Sequence, residues 1–174
     1  MTQSFRLQSA GTAALATLLA CALFCLVLTG YLLSIRAVQP QVLWLAALTT
    51  LAIAGLFAWF AIAQRGSSVA ITDDQLRIGI PLYGRVIKLD RIIAGSIQDV
   101  SMATDAGYRL SWRSNGLAVP GYQLGWFRAQ GAGKVLAAIT GHEVLAFRTK
   151  DDYAVLLSVA DRAGLRQALH AAAR

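Results

Sequence analysis

The sequence predicts an α+β, mainly β chain: an N-terminal transmembrane helical hairpin, then an antiparallel β-barrel or sandwich capped by a C-terminal helix. Three observations carry this. Two uncharged apolar stretches fill residues 7–64. From residue 66 the apolar period changes to two, in short segments separated by turn residues. The last segment returns to helical spacing.

The first stretch runs from Leu7 to Ile35 and the second from Ala37 to Gln64, with a polar break around Arg36 to Gln41. A hydrocarbon core of roughly 30 Å needs about 20 helical residues, so each stretch is long enough to span. A secretory signal has a shorter apolar region, and the first run continues well past it. Leu18-Leu19-Ala20-Cys21 faintly matches a lipoprotein processing site, but the bulky Leu19 and the long apolar run weigh against it. Small residues recur every four positions: Ala13, Thr17, Cys21, Cys25 and Thr29, then Ala46, Thr50, Ala54 and Ala58. Helices in lipid associate through such close-packing residues, so these two ridges are expected to face each other, with the cysteines as packing residues.

Tyr31 and Trp44 flank the connection, and Trp59 and Phe60 mark the other end, the placement of interfacial aromatics. Arg6, Arg65 and Arg77 lie on the side of the termini and Arg36 on the other. The positive-inside rule then predicts a two-pass protein of the inner, cytoplasmic membrane with both termini cytoplasmic. Neither stretch contains an ionisable Asp, Glu, Lys, Arg or His, which argues against a pump or carrier acting alone.

Of 174 residues, those from 66 to 174 make one domain of ordinary size. The part from Arg65 onward holds fourteen of the sixteen Lys/Arg and all nine Asp/Glu, a net of +5. No basic stripe with interleaved aromatics stands out, so nucleic acid is not an expected partner. Strands are predicted around Val69–Ile71, Leu76–Ile80, Ile87–Leu89 and Ile92–Val100. Tyr108, Leu110 and Trp112 alternate with Arg109, Ser111 and Arg113, the pattern of a half-buried strand. Ser114-Asn115-Gly116 is expected to turn the chain, as is Pro120-Gly121. Strands follow at Tyr122–Phe127, Lys134–Thr140, Val144–Thr149 and Tyr153–Val159. Ser158 and Asp161 have capping-box spacing before an amphipathic helix with Leu165, Leu169 and Ala172 on its apolar stripe. Arg162, Arg166 and His170 take another face.

Short antiparallel strands closed by one helix, with the stretch Gly121-Tyr-Gln-Leu-Gly-Trp-Phe127 and the Gly131/Gly133 turn, resemble the bacterial PH, or pleckstrin-homology-like, family. The resemblance covers about Ser68 to Ala172, and it implies a binding domain behind a pair of membrane spans with no catalytic set to transfer. Lipid-binding PH domains carry a basic pattern at their first hairpin; here that turn is Asp73-Asp74. Arg77, Arg85, Lys88 and Arg91 follow and form a candidate contact for an anionic surface. Gly121, Gly125 and Trp126 read as shape residues, the glycines for a bulge or close approach and the indole for the core.

Chemistry is sparse. His142 and His170 are the only neutral-pH titrating side chains, and neither neighbours a Cys or Ser pattern. Gly131-Ala-Gly-Lys134 lacks the spacing of a phosphate loop. Asp73/Asp74 and Asp151/Asp152 read as turn residues. No catalytic residue, cofactor or metal is expected. The reading is a non-enzymatic membrane protein whose domain binds a protein partner, the membrane lipid surface or its own copies. An accessory subunit of a membrane enzyme or transport complex is the alternative.

Overall fold

The computed structural model describes residues 2–34 and 39–172; Arg36 and its weight in the orientation argument lie outside them. The first described element is a strand that the sequence pattern leaves unassigned. β1 (Gln3–Arg6) pairs antiparallel with β2 (Ser68–Ile71), Gln3 opposite Ile71 and Arg6 opposite Ser68. Between them lie α1 (Thr12–Ser34) and α2 (Pro40–Ala63). The two-helix unit thus occupies the place of the turn in a β-hairpin.

The helices have 23 and 24 residues, about 35 Å of rise each. Pro40 opens α2, where a missing N–H costs least. Both helices are apolar on every side, and in both most of the apolar window is uncovered by protein. Leu23, Phe24, Val27, Leu45, Leu48 and Ile62 all point outward. A core helix of a soluble domain would bury such residues; these two are long and apolar enough to cross a membrane.

Ala14, Leu18 and Ala22 of α1 and Ala47 and Ala54 of α2 are buried. Cys21 and Cys25 are half-buried, and the Thr29 and Thr50 hydroxyls share a hydrogen bond across the pair. Ala46, Thr50, Ala54 and Ala58 are at least half-buried, as their ridge requires, but Ala13 is exposed. A four-residue step overshoots one helical turn, so a strict ridge drifts off the contact seam.

The remainder is an open sandwich of two sheets. One has the order β1-β2-β3-β4, with β3 (Gln75–Gly79) and β4 (Arg85–Lys88). The second contains β5 (Gln98–Ser101), β6 (Leu110–Val119), β7 (Tyr122–Ala129), β8 (Gly133–Ile139), β9 (Glu143–Arg148) and β10 (Tyr153–Leu157). Its order is β5-β9-β10-β8-β7-β6. One pairing departs from the antiparallel expectation: β8 and β10 run parallel, Lys134 opposite Tyr153. The turn after β9 folds β10 back into the gap beside β8, so the two share a direction.

Four local expectations are corrected. Residues 92–97 form no strand: short 3-10 turns occupy 89–91 and 94–96, and only β5 is extended. Ser114-Asn115-Gly116 lies inside β6, where a register shift between Arg113 and Asn115 absorbs it. The capping box does not form, because the chain stays extended to a bridge between Leu7 and Val159. Asp161 alone caps α3 (Arg162–Ala172), accepting the Gly164 N–H at 2.9 Å, while Ser158 is buried and accepts the Thr140 N–H at 3.0 Å. Within α3, Leu165 and Leu169 are buried but Ala172 is exposed.

The main core lies between the sheets, built from Val69, Leu76, Ile78, Leu124, Leu136, Phe147, Val155 and their neighbours. Leu165 and Leu169 of α3 join it, as do Ala14 and Phe60 from the roots of the hairpin. The other face of the six-stranded sheet is also dry: Val135, Ala137, Ala146, Ala154 and Leu156 are buried beneath Met102 and Tyr108 of the β5–β6 connection and Leu110 at the start of β6. Burial on both faces explains why Leu124 and Phe127, on opposite faces of β7, are both buried.

Candidate functional site

Two surfaces of the domain gather polar and aromatic side chains. The first is built on β6, β7, β8 and β10. Cross-strand register sets Tyr153 opposite Lys134, Lys134 opposite Arg128, and Arg128 opposite Trp112. Residues directly opposite share a face, so the four make one row across the sheet. Trp126 stands on the same face of β7, two residues before Arg128. Its indole meets the Tyr153 ring edge-on at 5.3 Å, with the Lys134 ammonium 4.4 Å and the Arg85 guanidinium 5.4 Å from the ring centre. Both lie within cation–π range.

Trp112 reaches this row because of a second irregularity. Leu110 pairs with Ala129 and Trp112 with Arg128, with a register shift between. Equal parity in sequence would put Leu110 and Trp112 on one face; the bulge rotates Trp112 to the other. Leu110 packs on the outer core, whereas Trp112 is 70% exposed.

Glycines shape the strands beneath. Gly125 has φ +116°, and a Cβ there would stand 2.6 Å from the Asn115 carbonyl oxygen. Gly116 faces it across the ladder, and the Tyr83 ring lies against it. The Tyr83 hydroxyl donates to Asn115 Oδ1 at 3.0 Å. Gly121 has φ +73° in the open Pro120-Gly121 turn. Trp126 is half-buried at the rim of the core rather than inside it.

The four basic residues singled out by sequence do not converge. Arg77 and Lys88 point to the outer face of the first sheet, since their neighbours Leu76, Ile78 and Ile87 point inward. Arg85 lies on the inner side, over Trp126. Arg91 forms an ion pair with Asp151 at 3.1 Å. Arg128, Lys134 and Trp112 were not singled out by sequence. They come together through register and a bulge, neither of which leaves a local signature.

The second surface is a cleft of about 580 Å³ at the end of the domain next to the hairpin. Met102, Leu110, Val119 and Tyr122 give it apolar walls, and Arg109 and His142 bring the basic groups. The hairpin end is fixed by short contacts. The Gln8 N–H donates to the Ser158 carbonyl at 2.8 Å, and the Thr140 hydroxyl donates to Gln8 Oε1 at 3.4 Å. Burial pushes the Tyr122 hydroxyl up to about 12. Burial likewise raises Tyr153. The Glu143 carboxyl is lowered, first by a hydrogen bond involving Ser101 and then by Arg162. His170 lies exposed on α3. Asp73 and Asp74 sit at the β2–β3 turn and Asp151 and Asp152 at the β9–β10 turn. Among the described residues no three His, Cys, Asp or Glu side chains group as metal ligands.

The matching family is described as the bacterial PH domain, over residues 67–173. The chain belongs to that family. The matched span begins at the linker before β2 and ends after α3, so it takes in both sheets except β1. No curated protein and no solved structure matches the chain. As in a PH-like fold, two packed sheets are followed by a C-terminal helix whose apolar residues enter the core.

Proposed function

We propose that this chain is an integral membrane protein whose PH-like domain is a non-catalytic binding and scaffolding module held at the bilayer surface. The observation that carries it is the splice: two long helices with outward-facing apolar side chains join neighbouring strands of the domain's own sheet. Arg6 pairs with Ser68 just outside the helices, so the strand pair clamps the hairpin at its root. Both termini and the domain then share one side of the membrane, which the reading takes as the cytoplasmic face of the inner membrane. Arg77 and Lys88, on the outer sheet face, are available to an anionic lipid surface, each worth about 1 kcal/mol near it. The domain's ligands are a protein partner or a second copy, with the bilayer as support.

Alkaline carbonate washing tests the anchoring: the full chain should stay with the membrane pellet. Reporters fused in turn to the N- and C-terminus should both be active in the cytoplasm. Release by carbonate, or activity of either reporter in the periplasm, would refute the respective part.

A further inference from the structure

The row Tyr153–Lys134–Arg128–Trp112 contains a conflict that the fold does not need. Lys134 and Arg128 are directly opposite on neighbouring strands, and like charges in that position repel. Arg85 adds a third cation over the shared Trp126. None of the three takes part in an ion pair among the described residues; those pairs use Arg91, Arg162 and Arg166. All three cations are exposed, and so is Trp112. The Trp126 ring offsets part of this for Lys134 and Arg85, but not for Arg128, and places where a local rule is broken without full compensation tend to be functional.

The shape narrows the occupant. The row crosses four strands on a sheet face, about 14 Å at ordinary strand spacing. Small ligands favour concave sites, whereas exposed faces rich in Trp, Tyr and Arg suit protein partners. Lys134 is six residues along β8 from Thr140, which touches Gln8 at the hairpin root, so the row lies at the end of the strand away from that root. That separation is roughly 20 Å.

We infer that this row docks an acidic segment of a partner protein, with carboxylates on Arg128 and Lys134 and an apolar side chain against Trp112. The inference rests on the binding-module reading and gives its partner a chemistry.

The test uses the full chain in discs of neutral phosphatidylcholine. The probe is a fluorescent peptide of alternating glutamate and leucine, and its control carries lysine for glutamate. The acidic peptide should bind saturably and the control should not. The double variant Arg128→Glu, Lys134→Glu should lose at least about tenfold in affinity, and Trp112→Ala should weaken binding too. Arg128→Thr, which relieves the repulsion, should melt no lower than the parent. The inference fails if no saturable binding appears by about 1 mM peptide, if the double variant binds equally, or if Arg128→Thr melts lower. It also fails if phosphatidylglycerol vesicles are captured through Arg128 and Lys134, which would give the row to the bilayer. None of these outcomes bears on anchoring, which the carbonate wash reads separately.

Discussion

At the scale of single residues, Gly125 and Gly121 separate two uses of glycine. Gly125 combines φ +116° with backbone atoms where a Cβ would stand. Gly125→Ala should therefore cost about 2–3 kcal/mol, seen as a lower midpoint in chemical denaturation. Gly121 is also at positive φ but in open space. Gly121→Ala should cost only about 1 kcal/mol, the left-handed penalty alone. Equal losses at the two positions would contradict this reading. Tyr122 makes a pH prediction. Its folded hydroxyl is held up at about 12 by burial, above the ordinary value near 10. Between those values the unfolded chain has released the proton and the folded chain has not. Stability therefore falls as pH rises from about 10 to 12. Alkaline denaturation of Tyr122→Phe should show a shallower fall than the parent. At this scale neither the φ of Gly125 nor the exposure of Trp112 is legible in the sequence, because pairing sets the first and a bulge changes the parity on which the expectation for the second rests.

At the scale of elements, the hairpin seam and the terminal helix make separate claims. Ala54 is 4% exposed at the helix contact, and Cys21 is only half-buried. Ala54→Leu should lower thermal stability in detergent clearly more than Cys21→Leu, since overpacking costs about 1–3 kcal/mol where no space exists. A reversed order would mean that the seam runs elsewhere. α3 closes the sandwich with Leu165 and Leu169, both fully buried. Leu165→Ala should cost about 2–5 kcal/mol by equilibrium denaturation. Amphipathic spacing announced this helix, but not its first residue. The start is decided by the chain remaining extended to the Leu7–Val159 bridge, a contact with the other end of the sequence.

At the scale of the whole molecule, the hairpin is an insertion between paired strands. Replacing residues 8–66 with Asn-Gly would join Leu7 to Ser67, whose backbone groups already share a hydrogen bond at 3.2 Å. A two-residue turn of this type suits antiparallel neighbours. The resulting chain should be water-soluble and folded, with a cooperative thermal transition. A fragment starting at Ser68 should fare worse, because losing β1 bares the edge of β2 and open edges promote aggregation. Equal solubility of the two products would show that β1 is dispensable.

The sequence by itself determined the two membrane-length helices, the strand-rich domain, the terminal helix and the family. Each rests on composition or on a short period, and such signals are local. Tertiary structure alone decided that β1 belongs to the first sheet, that β10 runs parallel to β8, and that Arg128, Lys134 and Trp112 form one row. These depend on pairing and register between residues distant in the chain, where a one-residue shift moves a side chain to the opposite face.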